Sequence, residues 1–388
     1  MTSNHIQGPQ GCAREDLDGV LELMNSILRA GSEQNLATDY PLVYRQENLD
    51  HHRIMKAGRH VVADVPFIVW PVEHEGCRFR VGIISATGTH PDFRDRGLGL
   101  KCLRNCLQCM DRQGIELSVL WTMVPTFRFY NRGGYQAVQD QGCVFRLTRN
   151  QARWFKDHGE SIVTHDAANP RHLNAIQRLR GAEPEGMTRD DDRAAVLHAL
   201  PKLTTHVALR RDEPVAYLVH STAPNKPGVV EAAGDEAALE TIVHRILVGA
   251  QSEAAIRVFR PLSDSSLLRL LDRVCHSERE PCFEGTMFRI NDASGFFRAI
   301  LPWLRTRHGG RSESFSFTVS ESNETVSIDF AKGDAILGDQ QRDPHFEMSR
   351  LNLTSAVFGP HPCRPYDVPE PFSSLFPFHF PISILDRS

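Results

Sequence analysis

The sequence predicts a mixed α/β protein, in which mixed sheets of short apolar strands are flanked by amphipathic helices. An apolar run from Phe79 to Ala86 leads into a loop rich in glycine and arginine, as a central strand would. A helical pattern follows this loop, with Leu100, Leu103, Leu107 and Met110 on one face. Further runs of strand length alternate with helical patterns along the rest of the chain, which favours the same class.

Composition narrows the class of protein further. The chain has 388 residues, of which 41% are hydrophobic and 24% charged, as expected for two or three ordinary globular domains. A net charge of −4 gives no reason to expect a nucleic-acid or membrane-surface partner. The sequence has no apolar run near 18 residues and no secretory leader, and its nine cysteines are scattered. We therefore expect a cytoplasmic protein without a disulfide framework.

Two helices are predicted before the first strands. An amphipathic pattern runs from Asp16 to Leu28, and a polar helix is predicted from Gln46 to Lys56. The second helix contains the neighbouring histidines His51 and His52, and no third ligand follows at a usual metal-binding spacing. We therefore expect exposed helical histidines and no metal site.

Four strands are predicted around the central loop besides the run that enters it. His60–Ala63 and Phe67–Val72 are expected as two strands, broken by Asp64-Val65-Pro66. Apolar residues within Glu116–Met123 predict the strand after the central helix. The run Gln136–Leu147 is expected to be the last strand of the first domain.

The loop from Thr87 to Leu100 has the composition of a phosphate-binding loop. It carries Arg94-x-x-Gly97-x-Gly99 and an additional arginine, Arg96. Glycines let a backbone approach a ligand closely, N–H groups at a helix start attract anions, and arginines bind phosphate oxygens. No Lys-Ser/Thr follows the glycines and their spacing is wrong for a dinucleotide fingerprint, so the pattern predicts another pyrophosphate ligand.

The Arg-x-x-Gly-x-Gly spacing, after a strand that ends in Thr-x-Thr-x-Pro, resembles the coenzyme A loop of the GNAT superfamily of acetyl-CoA-dependent N-acetyltransferases. A glycine-rich turn without a ligand is the alternative. The resemblance implies acetyl-CoA as co-substrate and the following coenzyme-binding residues: Thr87, Gly88, Thr89, Arg94, Asp95, Arg96, Gly97, Leu98, Gly99 and Leu100.

The segment Phe127-Arg-Phe-Tyr-Asn-Arg-Gly-Gly-Tyr135 resembles a second GNAT signature. In that superfamily its first tyrosine gives a proton to the leaving coenzyme A thiolate, and this role maps to Tyr130. The alternative is a buried tyrosine that only hydrogen-bonds a carbonyl group.

The remaining chain predicts two further parts, which divide the protein into residues 1–150, 151–291 and 292–388. In the second part, helices and strands follow in the order of the first, so a second GNAT-like fold is expected. Carboxylates at Glu231, Asp235 and Glu236 occupy its phosphate-loop position and would repel a pyrophosphate. In the third part, two alternating strands and the segment Asn352–Gly359 resemble a sterol-carrier-protein-like fold.

This three-part order resembles the Eis (enhanced intracellular survival) family of N-acetyltransferases. That resemblance implies a possible homo-oligomer, since hexamers occur in the family, and a C-terminal carboxylate as the base. The carboxylate would here belong to Ser388, although this chain does not end in an aromatic residue as the family members do. A glutamate or histidine beside the amine is the alternative base.

These patterns together predict an N-acetyltransferase that acts on a small-molecule or peptide amine, without a nucleic-acid or membrane partner and without a metal. The amine would attack the thioester directly, and Tyr130 would protonate the leaving thiolate. The alternative function is a non-catalytic sensor that binds acyl-CoA or a lipid, for example in an apolar cavity of residues 292–388.

Overall fold

The computed structural model describes residues 6–32, 34–139, 142–184, 186–221, 228–250, 256–261, 264–282, 285–308, 310–362 and 365–387. The chain divides into two compact units, each assembled from two stretches of sequence. Met1–Asp140 and Glu284–His379 form the first unit, and Gln141–Phe283 and Phe380–Ser388 form the second. Among the described residues, no helix combines the length and the apolar character that a membrane span requires.

The described residues form these strands, in chain order: β1 Ile6–Gly11, β2 His52–Ala57, β3 His60–His74, β4 Cys77–Ile84, β5 Gly88–Thr89, β6 Leu117–Trp121, β7 Gln136–Ala137, β8 Gly142–Leu147, β9 Ser161–Thr164, β10 Leu203–Arg210, β11 Glu213–Ser221, β12 Gly228–Gly234, β13 Ile256–Pro261, β14 Arg279–Cys282, β15 Thr286–Ile290, β16 Glu313–Val319, β17 Glu324–Ala331, β18 Asp334–Gly338 and β19 His345–Met348. They form these α-helices: α1 Leu17–Leu28, α2 Leu36–Asp39, α3 Pro41–Tyr44, α4 Leu98–Arg112, α5 Phe127–Asn131, α6 Pro170–Arg180, α7 Asp191–His198, α8 Glu236–Gly249, α9 Ser266–Cys275, α10 Ala293–Ala299, α11 Leu301–His308, α12 Arg350–Phe358 and α13 Phe372–Leu375.

The first unit is built on an eight-stranded mixed sheet with the strand order β1-β2-β3-β4-β6-β15-β7, and β5 pairs with β3. The pair β4–β6 is parallel, and the other pairs are antiparallel. Helix α4 covers one face, because Leu103, Leu107 and Met110 recur at helical spacing and are all buried. The strand, loop and helix predicted from the central run are thus confirmed.

The segment His60–His74 is one continuous strand, so the prediction of two strands broken at Asp64-Val65-Pro66 was wrong. On one side β3 pairs with β2 from His60 to Pro66. On the other side it pairs with β5 at residues 63 and 64, and with β4 from Phe67 onward. Pro66 therefore lies where the partner strand changes, and a missing N–H donor costs little there.

The prediction of a polar helix over Gln46–Lys56 was also wrong, because this segment forms a short 3₁₀ helix and then β2. His51 stacks on Phe67 with the ring centroids 4.1 Å apart, and His52 is fully buried. Neither histidine is an exposed helical residue. Pairing with the neighbouring strands determines this conformation, and the local polar pattern contains no information about those strands.

His52 and Asp64 form a buried ion pair between β2 and β3. Nδ1 of His52 lies 2.9 Å from a carboxylate oxygen of Asp64, and Nε2 lies 3.0 Å from the carbonyl oxygen of Val43. A carboxylate and a carbonyl oxygen both accept, so both ring nitrogens must donate and the imidazole is charged. Burial alone lowers the pKa of His52, but the charge and the hydrogen bond of Asp64 raise it above its usual value.

This ion pair predicts how stability depends on pH. Because the pKa of His52 is raised in the folded state, its stabilising contribution is complete below the unfolded pKa of about 6.5 and is lost as pH rises through the higher folded value. A His52→Gln variant should have a lower Tm than the wild type, with a difference that shrinks as pH rises above about 6.5. Thermal unfolding of both proteins across neutral and alkaline pH tests this. A difference that does not change with pH would contradict a charged His52.

The predicted strand Gln136–Leu147 is divided between two sheets. Gln136 and Ala137 form β7 in the first unit, whereas β8 (Gly142–Leu147) pairs with β13 and β14 in the second. In the first sheet, the place beside β6 is taken by β15, which comes from residues 286–290. The second unit is therefore inserted in sequence between two strands of the first sheet.

The second unit contains a seven-stranded sheet with the order β14-β8-β13-β12-β11-β10-β9. Its parallel pair is β12–β13, and helix α8 lies between these two strands in the chain. Leu239, Ile242 and Leu247 of α8 are buried in the core of this unit.

A buried charge network joins the tail of the chain to this second unit. Arg189 donates to both carboxylate oxygens of Glu231, at 3.0 and 2.5 Å, and to Asp386 at 2.7 Å. Arg180 donates to the other oxygen of Asp386 at 3.1 Å, and the hydroxyl of Tyr217 donates to Glu231 at 2.8 Å. Two arginines are therefore balanced by two carboxylates, and Asp386 completes the balance.

The first unit also contains a four-stranded sheet with the order β18-β17-β16-β19. The two alternating strands predicted for this part of the chain are confirmed as β16 and β17, and β19 pairs with β16 in parallel. The apolar segment Gly295–Leu304 lies in two helices, α10 and α11. Pro302 lies in the first turn of α11, where its missing N–H is tolerated, and it would have interrupted a longer helix.

Candidate functional site

The central parallel strands of the first unit separate at their carboxyl ends. The β4–β6 ladder runs from Val81–Leu117 to Ile83–Val119. The chain then pairs with β3 on the other side, where Gly88 lies opposite Asp64. Residues 86 and 87 belong to neither ladder, which leaves their amide N–H groups as candidate donors to an oxyanion at this gap.

Helix α4 begins beside this gap with an open N-terminus. Gly97 precedes it with φ 73°, and no side chain caps the first turn of this 15-residue helix. The first turn also contains no acidic residue. Unpaired N–H groups and the positive end of the helix dipole are therefore available to an anion, as the sequence predicts.

At two glycines of the loop, close contacts leave no room for a side chain. A Cβ atom at Gly99 would lie 2.9 Å from Oγ1 of Thr89 and 3.6 Å from the ring of Phe129. A Cβ atom at Gly88 would lie 2.7 Å from Sδ of Met24. The loop therefore packs tightly against α1 and α5, and its backbone has a defined position.

The loop arginines are held by backbone carbonyls. Nε of Arg94 donates to the carbonyl oxygen of Thr89 at 3.2 Å, and Nη2 of Arg96 donates to that of Asp92 at 2.8 Å. Both side chains are exposed and neither forms an ion pair with another described residue. Each guanidinium group keeps free N–H donors, which is the arrangement needed to bind phosphate oxygens.

Among the other residues predicted to bind the coenzyme, Leu98, Leu100 and Asp95 would contribute backbone groups rather than side chains. Leu98 and Leu100 are buried in the core, so only their amide groups face the helix start. Asp95 is exposed with φ 60°, and it shapes the turn that leads to Gly97.

Tyr130 lies at the edge of the same gap. It belongs to α5 and is 9% exposed, and its hydroxyl lies near the side chain of Thr87. Burial raises the pKa of Tyr130, and the nearby side chain of Thr87 lowers it in part. The hydroxyl is therefore protonated at neutral pH, as a proton donor must be.

Sequence reasoning gave no role to two arginines of this signature. Phe129 packs over Gly99, and Gly133 packs against Leu103, so the segment 127–134 lies along the first two turns of α4. Arg128 and Arg132 are one helical turn apart and both are exposed. The sequence feature that could have drawn attention to them is their i, i+4 spacing around Phe129 and Tyr130.

The corresponding strand, loop and helix of the second unit differ at the helix start. Asp235 caps α8 by accepting a hydrogen bond from the amide of Ala238 at 3.0 Å, and Glu236 follows in the first turn. The carboxylate of Glu183 accepts hydrogen bonds from the amides of Gly234 and Ser266. Side-chain carboxylates therefore occupy amide groups that a bound phosphate would otherwise use.

The remaining predicted site residue, Ser388, lies outside the described residues, and its role as the base stays a prediction. The described part of the chain contains no group of three or more His, Cys, Asp or Glu side chains that could hold a metal ion. The described cysteines of α4 are all buried in its core.

Residues 12–138 match the acetyltransferase (GNAT) domain family. No curated protein matches the chain. Among solved structures, a GCN5-related N-acetyltransferase from Anabaena variabilis is 14% identical, with a TM-score of 0.67 over 91% of this chain and 90% of that chain. A probable N-acyltransferase from Enterococcus faecalis is 14% identical, with a TM-score of 0.68 over 91% and 89%.

Eis1 from Mycobacterium abscessus is also similar, at 15% identity with a TM-score of 0.58 over 91% of this chain and 89% of that chain. These likenesses extend over most of each chain, so they reach well beyond residues 12–138. They establish that the chain has the mixed α/β fold of these acetyltransferase structures, with a GNAT domain in its first unit.

Proposed function

We propose that this protein is an acetyl-CoA-dependent N-acetyltransferase that moves the acetyl group to a primary amine of a small molecule or peptide. One juxtaposition carries the proposal: an uncapped helix start with two arginines lies beside a strand gap that holds Tyr130. A phosphate-binding loop alone would suit many ligands. A buried hydroxyl at the adjacent gap adds the proton donor that a departing thiolate needs.

In this mechanism the neutral amine attacks the thioester carbonyl carbon, and the carbon–sulfur bond breaks as the tetrahedral intermediate collapses. Amide groups at residues 86 and 87 would stabilise the oxyanion. The thiolate takes the proton of Tyr130, and the proton that the amine nitrogen loses balances this transfer. A lysine-like amine has a pKa of about 10.4, so a base must assist near neutral pH. The carboxylate of Ser388 or a glutamate or histidine beside the amine remain the candidates.

The proton transfer has an energetic requirement. A thiol has a pKa of about 8.5 and tyrosine about 10, so the transfer is uphill by roughly 2 kcal/mol before any shift. Burial raises the pKa of Tyr130 further, and it would also raise the pKa of a thiol held in the same gap. Transfer concerted with collapse of the intermediate therefore fits this site better than a separate step.

An acetyl-CoA titration by calorimetry tests the coenzyme site directly. We expect the untagged protein to bind acetyl-CoA, and an Arg94→Ala, Arg96→Ala variant to bind about 100-fold more weakly, because two charge-assisted hydrogen-bond donors are lost. Both side chains are exposed, so the fold should be kept. An Arg59→Ala variant is the control, since Arg59 is also exposed in the first unit. Absence of binding by the unaltered protein would overturn the proposal.

The alternative, a lipid or acyl sensor built on residues 292–388, finds less support. The face of the four-stranded sheet is filled by aromatic rings: Phe372 has its ring centroid 5.2 Å from Phe315, 5.5 Å from Phe317 and 6.1 Å from Phe346. Trp303 and Phe376 stack at 5.7 Å in the same region. The aromatic side chains themselves therefore fill the interior beside this sheet, as close packing in protein cores requires.

We also infer that the second unit is a GNAT-like fold that does not bind coenzyme A, because Asp235 and Glu183 already occupy the amide groups at its strand ends. The sterol-carrier-like character of residues 292–388, the division at residues 150 and 291, and a homo-oligomer stay predictions.

A further inference from the structure

The second unit contains a cavity of about 540 Å³, which lies within the range of about 300–1,000 Å³ that is usual for small-molecule sites. Its lining comes from the segment between β8 and β9, from α8 and from α9, and all three belong to this unit. The lining side chains that matter for a ligand are Trp154, Lys156, His158, Glu240, Arg273 and Val274. None of them belongs to the loop that precedes α4, so the proposed function gives this cavity no role.

The buried carboxylate of this cavity is already satisfied by the protein. The side chain of Glu240 is 8% exposed, and its Oε1 accepts a hydrogen bond from the amide of Lys156 at 3.0 Å. Its Oε2 lies 3.0 Å from Nε2 of His158. Because an ionised carboxylate only accepts, this ring nitrogen donates. Glu240 therefore holds the lining together and does not depend on the nearby cationic side chains for partners.

Two cationic side chains of the cavity keep their hydrogen-bond donors free. The ammonium group of Lys156 has no hydrogen bond or ion pair with another described residue. Arg273 lies 3.9 Å from Glu240 and 3.7 Å from Glu236, and both distances exceed that of a hydrogen bond. Glu236 is itself hydrogen-bonded by Arg269 at 2.8 Å. An ammonium group and a guanidinium group are thus available to an anionic ligand.

The charge of the lining matches a single negative charge. With His158 counted as neutral, the cations Lys156 and Arg273 and the carboxylate of Glu240 leave a net charge of +1. A carboxylate ligand carries one negative charge and would balance it. A phosphomonoester carries about 1.5 to 2 negative charges at neutral pH and would exceed it.

An apolar surface lies in the same cavity. Trp154 is 38% exposed, and Val274 is only partly buried against the core of this unit. An indole ring offers a large flat face, and aromatic rings pack on such a face in offset or edge-to-face arrangements. A planar ring on the ligand would therefore cover apolar surface that is otherwise in contact with water.

We propose that this cavity binds a small aromatic carboxylate, with its charge at Lys156 and Arg273 and its ring against Trp154. Binding sites of this size combine apolar walls with a few polar groups that fix the orientation of the ligand, and this lining has both. The site is a second ligand site of the protein, and it does not rest on the proposed function.

Calorimetric titration of the full-length protein with indole-3-acetate and with its uncharged analogue indole-3-acetamide tests the proposal. We expect the unaltered protein to bind the carboxylate at least tenfold more tightly than the amide. A Lys156→Ala, Arg273→Ala variant should lose this preference and keep its affinity for the amide, because only the charged contacts are removed. A Trp154→Ala variant should bind both ligands more weakly by a similar factor, since both contain the same ring.

The matched control is an Arg171→Ala, Arg211→Ala variant, which removes two exposed arginines of the same unit outside the cavity. It should keep the preference of the unaltered protein. Equal binding of the two ligands by the unaltered protein, or no binding of either, would overturn the inference. A preference that survives in the Lys156→Ala, Arg273→Ala variant, or unchanged affinities in the Trp154→Ala variant, would also overturn it. None of these results concerns acetyl-CoA, so the proposed function is tested separately.

Discussion

Replacement of Tyr130 by phenylalanine should lower kcat for acetyl transfer about 10²–10⁴-fold and leave the Kd for acetyl-CoA nearly unchanged. The ring of Tyr130 packs against Phe129 and Tyr135, with centroid distances of 4.9 and 6.2 Å, and phenylalanine keeps these contacts. Only the hydroxyl beside Thr87 is lost. The measurement is steady-state turnover together with calorimetric binding of acetyl-CoA.

Tyr135 provides the matched control for this variant. It is fully buried in the same core, and a Tyr135→Phe change also removes a single hydroxyl group. Turnover should survive that change. Because burial raises the pKa of Tyr130, activity in the wild type should show no loss from deprotonation of this tyrosine below about pH 10. Equal turnover of the Tyr130→Phe variant and the wild type would remove the proton-donor role.

Replacement of Asp386 by alanine should destabilise the second unit by about 3–5 kcal/mol. Asp386 is fully buried and accepts hydrogen bonds from Arg180 and Arg189. Without it, these two arginines face the single carboxylate of Glu231, and one buried positive charge is left without a partner. Amide hydrogen exchange in β12, which contains Glu231, should accelerate about 10²–10⁴-fold, in line with that loss of free energy.

A paired substitution separates the effect of charge from that of packing. An Arg180→Met, Asp386→Leu variant removes one charge of each sign and leaves Arg189 paired with Glu231. Because balanced buried pairs are often replaceable by apolar residues at little cost, this variant should recover much of the lost stability. Exchange in β12 that is unchanged by Asp386→Ala would show that the network does not depend on its tail residue.

Local sequence was sufficient to predict the loop that precedes α4 and the helix itself. Gly97 and Gly99, the arginines and the apolar period of α4 all lie within one short segment, so neighbouring residues determine their conformation. The segment Gln46–Lys56 shows the opposite case. In the local sequence, His52 has the pattern of a polar helical residue. Its conformation depends on Asp64, which lies on the next strand.

The same distinction explains what was missed at the site. The motif around Tyr130 can be recognised in the sequence, and it predicts this tyrosine as the proton donor. The packing of Phe129 on Gly99, which brings Arg128 and Arg132 alongside α4, joins segments about thirty residues apart and has no local pattern. Contacts of this kind follow from the fold and not from spacing in the chain.

Strand β15 has a consequence for how the protein is made. It pairs with β6 and β7, but it is synthesised only after the whole segment from Gln141 to Phe283. Until the ribosome reaches residue 290, the edge of β6 that β15 will occupy has unpaired backbone groups, and such an edge invites pairing with other chains. The sheet of the first unit therefore cannot be completed from the N-terminal 150 residues, and the nascent protein must keep this edge protected while the inserted unit emerges.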